Sequence, residues 1–151
     1  KIYFMPMIKI WIHLVWATKS RKPLLDKNIR HKVWQHMRAN AQEKQIHIDF
    51  INGHVDHVHI LLSLNADQTI AKIVQLIKGE SSFWINKNNM CSEKFEWQDD
   101  YFAVSVSESG VNAVREYIKN QEAHHAKKTF QQEYDEFMNK YGFLLIKDSL
   151  G

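Results

Sequence analysis

Between Asn52 and Leu64 the chain reads Asn-Gly-His-Val-Asp-His-Val-His-Ile-Leu-Leu-Ser-Leu, and no other stretch restricts the fold as tightly. From Val58 onward the apolar residues Val58, Ile60, Leu62 and Leu64 alternate with His57, His59, Leu61 and Ser63, which is the two-residue period of a strand. One face of that strand is an unbroken aliphatic row and must rest on a core. The other face carries two imidazoles, about 7 Å apart along a strand that rises about 3.3 Å per residue. At that spacing two ring nitrogens can converge on one cation, and imidazole is a common ligand for divalent metals. The same pair also fits two half-exposed polar residues with no metal role.

A chain of 151 residues is most simply a single domain, long enough for a proper core. Residues 1–6 are left outside the fold reading. A hydrophobic content of 44% with 25% charged residues is ordinary for a globular protein. No apolar run reaches the roughly 18 residues that a membrane span requires, and no signal-peptide pattern is visible. The single cysteine, Cys91, closes off an internal disulfide framework and a zinc ribbon, and it suits a reducing cytoplasm, the expected location. Net charge is only +3, yet residues 1–32 carry Lys1, Lys9, Lys19, Arg21, Lys22, Lys27, Arg30 and Lys32 against Asp26 alone. Such a basic third implies either a local anionic partner or a solvated charged face.

Taken in order, Met7 to Thr18 is β-branched and aromatic enough for a central strand, with His13 inside it. Lys19 to Pro23 is a basic loop. Asp26 is placed to cap a helix running to about Lys44, and Ile46 to Asn52 is a second strand that turns at Gly53 into the histidine strand. Asn65-Ala66-Asp67 is read as the cap of a second helix, continuing past Gly79 to about Asn86. A polar loop over 88–99 precedes a strand from Tyr101 to Ser107. This order is the split βαβ, ferredoxin-like or RRM-like βαββαβ plan of an α+β protein, an antiparallel sheet with its first and third strands side by side at the centre. Two further helices are expected, over 109–127 and over 129–142. The last opens with a Thr129/Gln132 capping box, carries an aromatic seam and stops at Gly142.

On the helix over 109–127, Val111, Val114 and Ile118 share one side at 100° per residue, while Tyr117 and Gln121 sit one turn apart at its edge, followed by His124. A helix resting those valines on the sheet lays Tyr117 and Gln121 along the sheet surface. Alone, such a tyrosine is as well explained by packing and such a glutamine by solvent.

The combination of His57-Val58-His59 among aliphatic residues with Tyr117-Ile118-Lys119-Asn120-Gln121 on a late helix resembles the HUH-type single-tyrosine transposases. These serve small insertion sequences that move as single strands, and the REP-associated tyrosine transposases are relatives. The resemblance implies a divalent ion, Mg²⁺ or Mn²⁺, held by His57, His59 and Gln121. It implies that Tyr117 attacks the scissile phosphate to give a 5′-phosphotyrosine, so that rejoining needs no nucleotide cofactor. It also implies single-stranded DNA with hairpins as substrate and a homodimer whose tyrosine helix can complete the partner's site. Lys19, Arg21 and Lys22, with Lys72 and Lys78, are then the expected backbone contacts, and His13, His54 and His124 are secondary candidates. Other enzymes with a two-histidine strand fit less well. Histidine-triad hydrolases need a third histidine where Val55 or Leu61 stands, two-histidine phosphodiesterases need a second motif that is missing, and amidohydrolase barrels need a longer chain. The rival from another class is an inactive or domesticated DNA-binding protein of the same fold.

Overall fold

The computed structural model describes residues 7–141. Four strands, β1 (Trp11–Ala17), β2 (His47–Gly53), β3 (His57–Ser63) and β4 (Phe102–Val106), form one antiparallel sheet in the order β2-β3-β1-β4. With α1 (Lys27–Glu43) after β1 and α2 (Ile70–Lys87) after β3, this is the expected α+β plan, β1 and β3 adjacent at the centre. Among the described residues three shorter α-helices follow β4: α3 (Val111–Lys119), α4 (Gln121–His125) and α5 (Phe130–Lys140).

The alternation in β3 decides how the layers stack. Val58, Ile60 and Leu62 join Ile12, Leu14 and Trp16 of β1 in the main core, closed by Val33, Trp34 and Met37 of α1 and by Ile73, Val74 and Ile77 of α2. Burying each of the large aliphatic side chains there contributes about 1.5–3 kcal/mol. The opposite face is covered too. Leu61 packs against Val111 and Ile118 of α3, and Val15 and Ala17 pack against Phe130 of α5. The histidine face is therefore an interior surface.

Two features of β2 seat α3. A register shift between Ile48 and Phe50 leaves Asp49 outside the β2–β3 pairing. Its carboxylate receives Arg115 Nε at 2.7 Å and Nη2 at 2.8 Å, a forked contact that fixes orientation as well as position. Two residues beyond the resumed pairing, Asn52 donates through Nδ2 to the carbonyls of Ile118 at 3.0 Å and Lys119 at 3.2 Å.

That second contact corrects the single helix expected over 109–127. The chain forms α3 and α4 with a break at Asn120 (φ −92°, ψ 23°), where Asn52 takes up carbonyls that would otherwise accept from the next helical turn. Other boundaries also differ. The first strand begins at Trp11, not Met7, and Gly53 closes β2 instead of forming the turn. α2 is capped by Thr69, whose hydroxyl accepts from the Lys72 amide at 3.2 Å, and not by Asp67. Asp26 stands at the start of α1 without a side-chain cap bond. The loop over 88–99 buries Phe95 and Trp97 in the main core. The Thr129/Gln132 capping box is formed as expected. Residues 1–6 and the stop at Gly142 lie outside the described residues.

Gly53 has a steric reason to be glycine. A Cβ there would lie 2.2 Å from the His57 carbonyl oxygen and 3.0 Å from the Trp34 ring. Gly53→Ala is expected to destabilise the fold by about 1–3 kcal/mol, the usual cost of overpacking against atoms that cannot yield; the urea midpoint measures it.

Candidate functional site

His57 and His59 leave the same face of β3 and are fully buried, as is Gln121 at the start of α4. Each histidine is oriented through its Nδ1. His57 Nδ1 lies 2.8 Å from Asp56 Oδ1, and His59 Nδ1 lies 2.9 Å from Nε2 of His13, itself buried on β1. Both Nε2 atoms are thus left for the space above the sheet. Such outer partners set which nitrogen of an imidazole is available to bind.

Above them Gln121 Oε1 is 3.1 Å from His57 Nε2 and 3.0 Å from His125 Nε2. Glu133, brought down from α5 and buried, places Oε1 2.8 Å from His59 Nε2 and Oε2 2.5 Å from His125 Nε2 and 3.7 Å from His57 Nε2. The Tyr117 hydroxyl donates to Glu133 Oε1, and its ring centroid is 5.6 Å from that of His59. Gln121 Nε2 turns back to the Tyr117 carbonyl at 3.4 Å, which leaves Oε1 as the atom facing the imidazoles.

Hydrogen counting gives this arrangement its chemical meaning. Asp56 and the Lys128 carbonyl are acceptors, so His57 Nδ1 and His125 Nδ1 (2.9 Å from that carbonyl) must each be the donor. In neutral rings both Nε2 atoms are then lone pairs. They face Gln121 Oε1 and Glu133 Oε2, which are also lone pairs. His59 Nε2 and Glu133 Oε2 are buried with no hydrogen-bond partner, for the close approaches lack hydrogen-bond alignment. Convergent acceptors without hydrogens between them call for extra protons or for a cation. Within the described residues His57, His125 and Glu133 form a cluster that could hold a metal ion.

The electrostatics suit ligation at His59, while at His125 the effect of burial is outweighed by Glu133, which raises its pKa above that of an ordinary imidazole. Burial, with His59 beside it, lowers the His13 pKa to about 3. Burial likewise lowers His59 to about 4, only partly offset by Glu133, so both rings are neutral near pH 7. Burial alone would raise Glu133, but His125 and His59 hold it well below the usual carboxylate range, so it is anionic. Burial first, and then the Glu133 charge, pushes Tyr117 far above an ordinary phenol.

The remaining candidates divide. His124 stacks edge-on at 5.1 Å from Tyr117, and His54 lies against His125 at 5.2 Å. Arg21 reaches over the Phe130 ring at 5.0 Å. Lys19 and Lys22 pair with Glu96 at 3.2 Å and Glu93 at 2.8 Å on the surface. Lys78 is held by the carbonyls of Gln98, Asp99 and Asp100 at 2.6–3.2 Å. Lys72 is exposed on α2, in the layer beyond the opposite face of the sheet. His125 and Glu133 were not among the residues expected at the site from the sequence. His125 stands four residues after Gln121, and Glu133 falls inside the Phe130, Tyr134, Phe137 seam at helical spacing. A carboxylate within an apolar stripe signals a buried charge with partners.

Residues 7–121 match the family described as transposase, IS200 like. The chain is 25% identical over 114 residues to the ISDra2 transposase TnpA of Deinococcus radiodurans, covering 72% of this chain and 81% of that protein. A crystal structure of a protein assigned as a transposase, from Deinococcus radiodurans R1, superposes with a TM-score of 0.62 at 24% identity, covering 80% of this chain and 97% of the other. A REP-associated tyrosine transposase solved bound to a REP hairpin gives 0.61 at 13% identity, covering 83% and 74%.

Removing the Glu133 carboxylate would leave the His59 and His125 nitrogens and the Tyr117 hydroxyl facing a void. Glu133→Ala is expected to lower the unfolding free energy in metal-free buffer by about 3–5 kcal/mol, as for other buried ion pairs that lose one partner; chemical denaturation measures the change.

Proposed function

The chain belongs to the IS200-like transposase family, and on that footing we propose that it cleaves and rejoins single-stranded DNA at hairpin-marked ends through a covalent bond to Tyr117. The observation that carries the proposal is the position of the Tyr117 ring, 5.6 Å from His59, beside the outward-facing Nε2 atoms of His57 and His59 and the Gln121 side-chain oxygen. The Tyr117 oxygen forms a bond to phosphorus as the bond to the 3′ oxygen breaks. The 5′ phosphate stays on the tyrosine, and the departing strand ends as a 3′-hydroxyl that receives the proton given up by the phenol. Reversal by a 3′-hydroxyl reseals the chain, one phosphodiester exchanged for another. His57, His59 and Gln121 would hold the divalent ion, Mg²⁺ or Mn²⁺, with His125 and Glu133 in reach. Two imidazoles make Mn²⁺ at least as suitable as Mg²⁺, while the oxygens of Gln121 and Glu133 suit either. When bound, such an ion neutralises charge that develops on the phosphate oxygens.

Arg21, with Lys19 and Lys22 on the same loop, is the favoured backbone contact, and Lys72 and Lys78 belong to the proposal in a lesser role. The solved hairpin complex of a structural neighbour supports a hairpin-bearing substrate. A homodimer is part of the same reading, with Ser109-Gly110 ahead of α3 as the joint that would let that helix serve the partner; light scattering of the eluted protein tests it, and a monomer at high concentration counts against it.

One observation favours the rival, a DNA-binding protein without turnover. The Tyr117 hydroxyl is engaged by Glu133 and its pKa is raised, so attack requires that grip to loosen. Incubation with labelled single-stranded hairpin DNA and Mn²⁺ separates the two. Turnover gives an adduct that survives denaturation and is lost in Tyr117→Phe, whereas binding without any adduct selects the rival.

Metal binding is separately testable. Mn²⁺ should bind the unaltered protein, as read by the loss of the free-ion electron paramagnetic resonance signal. Asp56→Ala should weaken that binding about 10–100-fold, the usual effect of removing an orienting partner. Unchanged binding in both Asp56→Ala and His59→Ala would place the ion elsewhere.

A further inference from the structure

One strand over from the histidine pair, on the same side of the sheet, lies a cleft of about 680 Å³ that none of the histidines lines. Its floor includes Val15 and Ala17 of β1, the register partners of His59 and His57, together with Phe102 of β4. Its roof is Phe130 and Tyr134 of α5, and Arg21, Gln98 and Asp100 stand at its rim. We propose that this cleft receives an unpaired nucleobase of the DNA, one next to the phosphate that Tyr117 attacks. The proposal rests on the single-stranded DNA reading above and adds a base-binding subsite to it.

Four observations lead there. The volume lies in the range of small-molecule sites, about 300–1,000 Å³, ample for a base with its sugar. The walls are aromatic: Phe102 and Tyr134 meet edge to face at 4.9 Å, the Arg21 guanidinium lies 5.0 Å over Phe130 and 5.6 Å over Tyr134, and Phe130 is itself stacked on His57 at 4.3 Å, which leaves Tyr134 as the ring to receive a base. Aromatic faces beside a cation form the platform on which unpaired bases stack, and every base has such a face. The Gln98 amide and the Asp100 carboxylate offer hydrogen-bonding groups to a base edge.

The third observation is the backbone that presents Arg21. Ser20 and Arg21 are consecutive non-glycine residues at φ 57° and 52°. Left-handed backbone is costly for both, and a plain surface loop has no need of it. Here that turn carries Arg21 from the basic loop onto the rings of α5. The fourth is distance. Adjacent strands lie about 4.8 Å apart, so the cleft floor is within the span of one nucleotide from the histidines. The roof lies beyond the family match, which ends at residue 121, while the floor and rim lie within it.

The test uses the whole protein and a hairpin oligonucleotide with an oligo(dA) flank, plus a set in which one flank nucleotide at a time is made abasic. Fluorescence anisotropy at fixed salt reads the affinity. Tyr134→Leu should weaken binding of the intact probe about tenfold. One abasic position should weaken the unaltered protein by a similar factor, and on that probe Tyr134→Leu should cost nothing more. Tyr134→Trp should keep the affinity, which separates a lost ring from a damaged fold. Equal loss on the intact and on every abasic probe, or no loss on any, overturns the subsite. Failure of the unaltered protein to bind any of these probes overturns the DNA reading and the subsite together.

Discussion

A set of buried lone pairs facing one another is the constraint on which this structure turns. His57, His59, His125, Gln121 and Glu133 converge above the sheet with too few hydrogens to satisfy them. Burying polar atoms in that way is costly unless something positive is shared among them. A cation or a set of additional protons resolves it, and both leave the carboxylate and the imidazoles tied to one another. The neighbouring devices follow from that need. Asp56 and His13 fix the outward nitrogens, and Lys128 fixes His125.

The scaffold delivers those groups by exploiting the difference between the two faces of β3. One face is an aliphatic row that α1 and α2 close. The other is roofed by three short helices whose placement is set by polar contacts from β2. Asp49, freed by the register shift, holds Arg115, and Asn52 breaks the helix so that Gln121 begins a new one over the histidines. Tyr117 and Gln121 therefore approach the same point from opposite sides of a bend. In this arrangement a single subunit brings the tyrosine, the glutamine and both histidines together.

α5 lies outside the stretch that the family match covers. Its Glu133 holds the tyrosine hydroxyl, and its aromatic residues wall a cleft beside the site. A phenol bound to a buried carboxylate is harder to ionise. The helix thus closes the space above the histidines and fixes the Tyr117 hydroxyl.

Periodicity was enough to establish the sheet, the two-faced histidine strand, the helix that carries Val111, Val114 and Ile118, and the capping box of the last helix, because these depend on residues close together in the chain. The pairing of Tyr117 and Gln121 with the histidines was legible only through the combined pattern of residues 57–59 and 117–121. The break at Asn120, the roles of His125 and Glu133, the replacement of Asp67 by Thr69 as a cap and the cleft under α5 were decided by tertiary structure. The break, the buried carboxylate and the cleft each depend on a partner far along the chain, Asn52 for Ile118, His59 for Glu133 and Arg21 for Phe130, whereas the Thr69 cap is closed locally by Lys72. Local pattern reports which face a residue takes, and only the folded chain determines which distant atom it will meet there.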